Sequence, residues 1–186
     1  MNIRYSIETL YDFFDDEKFN THPRFFNDAL KKLESIDGVL VAFGYLGSPP
    51  DSLNFSEQKQ IFNCNLVGVA SILTPFANYF QKENRGFIIS ISSIAGDRGR
   101  SKNYAYDAAK SGLTTYMEGL NQRLAKHHVR VITVKPGFVN TPMTFGRTGM
   151  FLVANPEKVG RRIIKQLWLK KDVIYVPWFW KYFMFL

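Results

Sequence analysis

The chain has 186 residues, of which 46% are hydrophobic and 22% charged. That length and apolar content suit one domain with an adequate core and exclude a disordered chain. The formal net charge is +8, but it is uneven: residues 1–60 hold six Lys/Arg against ten Asp/Glu, residues 61–120 six against four, and residues 121–186 twelve against two.

A basic last third suits nucleic acid, an anionic substrate or an anionic membrane, and equally a solvated basic face. The single cysteine, Cys64, excludes an internal disulfide and fits a reducing compartment. No metal is expected, because no Cys/His cluster has ligand spacing. His22 stands alone, while His127 and His128 close a predicted helix as solvated charges. The start, MNIRYSIETLYDFFDDEK, has no apolar signal core, and no run of ~18 apolar residues follows. A cytoplasmic location without a complete transmembrane helix is therefore expected.

In chain order, residues 6–12 read as a short strand ending in acidic residues, with Asp15 and Asp16 beyond Asp12. Pro23–Ile36 reads as an amphipathic helix with Phe26, Leu30 and Leu33 on one face. Val39–Phe43 reads as a buried strand, followed by Gly44. Ser56 is a plausible cap for the next helix. From Ile61 to Phe80, apolar residues at Phe62, Leu66, Val69, Leu73, Phe76 and Phe80 predict a long helix, kinked at Pro75. Phe87–Ser93 is a second buried strand, broken into a loop by Gly96 and Gly99.

A helix with Leu113, Met117, Leu120 and Leu124 on one stripe comes next. Tyr106 and Lys110, four apart, share one of its faces. A free phenol has a pKa near ~10. An ammonium held beside it favours the phenolate and lowers that value. A serine hydroxyl from the preceding loop, Ser93, can then polarise a substrate oxygen. Val129–Val134 is the next strand, Pro156–Leu169 a helix with Val159, Ile163 and Leu167 inward, and Asp172–Val176 the last strand. The end, PWFWKYFMFL, is aromatic and apolar.

Ser93, Tyr106 thirteen positions on, and Lys110 resemble the Ser…Tyr-x-x-x-Lys signature of the short-chain dehydrogenase/reductase family. Asn65-Leu66-Val67-Gly68 is similar to that family's Asn-x-x-Gly, and Pro136-Gly137-Phe138-Val139-Asn140-Thr141 to its Pro-Gly-x-Val-x-Thr. Gly44 alone survives from its Asn-Asn-Ala-Gly, and Phe43 in place of the alanine would narrow the cofactor cleft.

The resemblance implies a nicotinamide-linked oxidoreductase, using NAD or NADP, acting on a carbonyl/alcohol pair. It implies Tyr106 as general acid in reduction and as a cofactor contact, with Lys110 lowering its pKa and binding the nicotinamide ribose. Ser93 orients the carbonyl, and Asn65 opens its helix locally and holds a relay water. Asp12 would bond the adenine, a role weighed against a plain turn acid. Gly44 would line the cofactor. Pro136, Gly137, Val139 and Thr141 would hold the carboxamide, and Thr144–Asn155 would be the substrate loop.

The first glycine is Gly38, so the glycine-rich turn that lets the backbone reach a pyrophosphate is missing. The implied architecture is α/β, a partial Rossmann-type doubly wound parallel sheet without the first two βα units, over residues 1–176, with 177–186 as an aromatic tail. The loss leaves the first strand of the remaining sheet with an open edge. The chain is then either part of a longer protein or a shortened relative. A catalytically inactive remnant serving as a binding or dimerisation module is the alternative function.

Ala42-Phe43-Gly44-Tyr45-Leu46-Gly47 and the Ala95–Arg100 loop are similar to bacterial members of the decaprenylphosphoryl ketoribose reductase kind. A lipid-linked keto-sugar is thus a candidate substrate. Expected partners are a small or lipid-linked carbonyl compound, a second copy through the helices at 61–80 and 104–125, and a membrane surface on the inner face met by the tail. Nucleic acid is not expected as a partner.

Overall fold

A computed structural model describes residues 9–48, 54–144, 149–169 and 171–184. Four strands form one parallel sheet in the order β1-β2-β3-β4: Gly38–Val41, Gly86–Ile91, Val129–Pro136 and Val173–Val176. Between them run α1 (His22–Leu33), α2 (Phe55–Phe62), α3 (Val69–Glu83), α4 (Tyr104–Leu124) and α5 (Pro156–Gln166), with a short α6 (Trp180–Phe183) at the end. The expected α/β class and parallel strand order are present. The expected strand at 6–12 is not seen in its described part, since residues 9–12 have no regular structure; the rest lies outside the described residues.

The strands carry runs of branched apolar residues because both faces of the sheet are covered. Ile88, Val129 and Val131 meet α1, α3 and α4 through Phe26, Leu73, Phe80, Leu113 and Met117. Ile89, Ile132, Val134 and Ile174 meet α5 through Val159 and Ile163. The stripe Leu113, Met117, Leu120, Leu124 is consumed in this core. That stripe is therefore not an outward pairing surface.

Three local expectations shift. Leu33 is exposed, because α1 ends at Glu34, whose φ of 62° turns the chain out of the helix. Asn54, not Ser56, caps α2, its Oδ1 accepting from Glu57 N at 3.0 Å. The helix begins earlier than expected, and Phe55–Glu83 is by length and composition apolar enough to cross a membrane, contrary to the sequence reading. Half of its apolar window is buried inside the chain, as in the core helix of a packed domain.

Asn63–Gly68, between α2 and α3, is a π-helical turn. Such bulges gather at functional sites. Because the strands are parallel, Val41, Ile91, Pro136 and Val176 all end at one side of the sheet, where ligands of open α/β sheets bind.

Candidate active site

The site is built where β2 ends. Ser93 caps a 3-10 turn, Ile94–Asp97, and its Oγ accepts from Ala95 N at 3.1 Å. α4 then starts so that Tyr106 falls in its first turn, packed against the cluster of Ile61, Ala105 and Ala109. The start of α4 is held by Asp107. Its buried carboxylate accepts from Arg100 N at 2.8 Å and from the Arg100 guanidinium at 2.7 and 3.2 Å.

One turn on, Lys110 is 2% exposed. Its Nζ donates to Ile91 O at 2.9 Å and stands 5.6 Å from the Tyr106 ring centroid. From the facing helix comes Asn65, fully buried. Asn65 Nδ2 donates to Tyr45 O at 2.6 Å and Ile61 O at 2.8 Å, while Oδ1 accepts from Tyr45 N at 3.2 Å. The Ile61 bond is one a regular helix would give to a backbone N–H, and the π-turn frees that carbonyl. The expected local opening at Asn65 is thus present.

Gly44 is where these side chains meet. A Cβ on it would stand 2.9 Å from Asn65 Oδ1 and 3.5 Å from Lys110 Nζ. Only glycine keeps that point open. Beside it lies a cavity of about 270 Å³ walled by Phe43, Gly44, Tyr45, Gln60, Cys64, Asp16 and Glu17.

The electrostatics differ from the sequence expectation. Burial pushes the Tyr106 phenol up to about 12, and a hydrogen bond with Ser93 and the Arg100 charge only partly oppose it. The Lys110 ammonium, turned to Ile91 O and lying over the ring, does not offset that burial. Burial acts on Lys110 as well and lowers it to about 8. At neutral pH the pair is a protonated phenol beside an ammonium that releases its proton readily.

Ser93, Tyr106, Lys110, Asn65 and Gly44 are therefore brought together. Asp12 is not among them: its carboxylate is bound by Lys32 Nζ at 2.6 Å and by Phe13 N at 2.8 Å, an ion pair that holds it below the usual carboxylate range. Asp16 and Glu17 stand in the cavity wall instead. Pro136 ends β3, and Gly137 N donates to Val176 O at 3.0 Å. Val139 bridges to Ala154, and its carbonyl accepts from Thr144 Oγ1 at 2.6 Å. The Thr141 hydroxyl faces Thr144 Oγ1 at 3.4 Å. Residues 145–148 of the expected substrate loop lie outside the described residues.

A profile of the short chain dehydrogenase family matches residues 5–148. The chain belongs to this family. An uncharacterized oxidoreductase of Mycobacterium tuberculosis is 31% identical over 166 residues, 89% of this chain and 67% of the relative. An acetoacetyl-CoA reductase of Synechocystis is 39% identical over 84 residues, 45% of this chain and 35% of that protein. An alcohol dehydrogenase from the archaeon Thermococcus sibiricus, complexed with 5-hydroxy-NADP, superposes with a TM-score of 0.77 at 20% identity, over 91% of this chain and 74% of that one. By family, then, this short-chain dehydrogenase/reductase is an NAD(P)-dependent oxidoreductase. The residues present fit the nicotinamide end of such a cofactor, because the open point at Gly44 is faced by an ammonium and an amide oxygen suited to a ribose.

Sequence reasoning missed two polar networks. Asp97 accepts from Lys135 Nζ and, at 3.0 Å, from the Tyr175 hydroxyl, tying the Ser93 turn to the ends of β3 and β4. Burial and the Asp97 charge push Tyr175 up to about 12. His22 is fully buried, with Nδ1 2.9 Å from Ser71 Oγ and Nε2 2.9 Å from Asp15 O, and stacks on Phe14. The His22–Pro23 helix start was a weak signal for the second. The first joins residues 38 and 78 positions apart and leaves no local trace.

Proposed function

We propose that the chain interconverts a carbonyl and an alcohol with NAD(P)H, and that Tyr106 is the general acid in reduction. The observation that carries this is the convergence of Lys110 Nζ and Asn65 Oδ1 on Gly44, next to the Ser93–Tyr106 pair. The bound nicotinamide supplies the hydride. Ser93 donates to the substrate oxygen and holds it toward Tyr106. The phenol, protonated at neutral pH, gives its proton to the alkoxide that develops, a stronger base than phenolate. Lys110, with its pKa near 8, restores that proton and holds the ribose hydroxyls. Asn65 Oδ1, which has one lone pair left after Tyr45 N, holds the relay water. Pro136, Gly137, Val139 and Thr141 flank the carboxamide.

The test is NADPH oxidation against a panel of ketones, with Tyr106→Phe and Ser93→Ala beside the parent chain. Turnover that survives Tyr106→Phe ends this reading. The finer substrate reading is a lipid-linked keto-sugar, supported by the exposed aromatics beside Gly137 and Phe138. A homodimer draws support from Phe55, Val67 and Tyr104, exposed on α2, the π-turn and α4.

A second reading, a non-catalytic binding or dimerisation module, draws on Asp16 and Glu17. Carboxylates in the cleft wall repel nucleotide phosphates. Under it, NADPH leaves the thermal midpoint unchanged and the substitutions above change nothing.

A further inference from the structure

β4 pairs only with β3 among the described residues. Beside it lies a groove of about 370 Å³ whose walls include Arg162, Lys171, Lys181, Trp178 and Gln166. Among the described residues none of the three cations has an ion-pair partner, whereas Arg161 next to them reaches Glu157 at 3.7 Å. Asp172, the one carboxylate in the wall, accepts from Asn121 Nδ2 at 3.1 Å. Gln166 is 7% exposed, and its side-chain oxygen has no partner.

A band of rings borders the groove. Trp178 and Tyr182 pack edge to face at 5.9 Å, and Phe179, Phe183 and Phe151 continue the chain at 6.5 and 6.3 Å. Trp178, Tyr182, Phe183 and Phe151 are 59%, 63%, 50% and 50% exposed. Trp180 is the inner end, buried against Gly137 so closely that a Cβ there would overlap the indole. Exposed apolar patches of this extent mark interaction surfaces.

We propose that this face docks on an anionic phospholipid surface. A headgroup phosphate enters the groove between Arg162, Lys171 and Lys181, and the Trp178, Tyr182, Phe183 and Phe151 rings enter the bilayer interface. Charge complementarity selects the occupant. A second copy of the chain meeting this face across a two-fold axis would bring the same three cations together. Nucleic acid would satisfy the cations but not the exposed aliphatic Leu152 and Val153 next to Phe151. Tryptophan, tyrosine and basic side chains side by side are what a headgroup layer accepts.

Flotation tests this without turnover, so its outcome is separate from that of the catalytic reading. The full chain is mixed with vesicles of phosphatidylcholine alone or of phosphatidylcholine with phosphatidylglycerol. Binding to the anionic vesicles alone is expected. Arg162→Gln, Lys171→Gln and Lys181→Gln together should weaken it on the order of 100-fold, at about fivefold per cation. Lys31→Gln, Lys59→Gln and Lys126→Gln, the same charge change elsewhere, should weaken it no more than about twofold. Lys171→Arg with Lys181→Arg should keep the binding, which separates lost charge from lost folding. Trp178→Ala with Tyr182→Ala should also release the chain. No flotation of the parent chain overturns the proposal. So do equal losses in the two triple variants, tighter retention by an oligonucleotide than by vesicles, or full competition by inorganic phosphate at constant ionic strength.

Discussion

The two halves of the cleft are built differently. On the nicotinamide side, Asn65 is held by three hydrogen bonds, Lys110 by one, and Asp107 by three that fix the start of α4. On the other side the wall is Phe43, Asp16 and Glu17, with no glycine-rich turn in the sequence to receive phosphates. Under the proposed function, proton chemistry and cofactor retention are separable parts of this fold, the first resting on one strand end and two helices. The second needs backbone donors from elsewhere.

Four outcomes sharpen or break that contrast. Tyr106→Phe should lower turnover about 10²–10⁴-fold with nucleotide binding unchanged, as read by steady-state kinetics and fluorescence titration. A parallel loss of nucleotide binding would mean that the two parts are one. Next, Asn65→Ala should cost about 1–3 kcal/mol in urea unfolding, because Tyr45 N and O and Ile61 O lose their partner. A smaller loss would show that the π-turn reverts to a regular helix.

Third, Lys110 makes stability depend on pH. Its folded value near 8 lies below the unfolded 10.5, so between these the unfolded chain binds more protons and stability rises with pH. Relative to Lys110→Met, the parent chain should gain on the order of 1–2 kcal/mol from pH 8 to 9.5. A falling difference would place the ammonium in a favourable pair instead. The smallest effect is expected from Asp16→Asn with Glu17→Gln, which should tighten NADP binding about two- to fivefold at low salt. An unchanged dissociation constant would take the carboxylates out of the cleft.

Much of this was legible in the sequence for physical reasons. β2 and β3 are apolar runs bounded by breakers, and the α4 stripe has helical period, so both were readable locally. Tyr106 and Lys110 were readable from their helical spacing, and Ser93 and Asn65 from the resemblance to the family's motifs. The Tyr106 pKa was not. Spacing places Lys110 on the same face, but burial and the Ile91 carbonyl decide what the ammonium does. The Asp97–Lys135–Tyr175 cluster joins the Ser93 turn to the ends of two strands and exists only after the sheet forms. The tail is divided in a way its composition does not reveal: Trp180 is 3% exposed, while Trp178, two residues before it, faces outward.

The most direct test of the account is a titration with nicotinamide mononucleotide, which carries only the half of the cofactor that Gly44, Lys110 and Asn65 face. Trp180, packed on Gly137, is the fluorescent reporter. The account predicts saturable quenching in the parent chain, with a dissociation constant within a few-fold of that for NADP, and at least tenfold weaker binding in Lys110→Met. NADP binding orders of magnitude tighter than the mononucleotide, or mononucleotide binding indifferent to Lys110→Met, would contradict it.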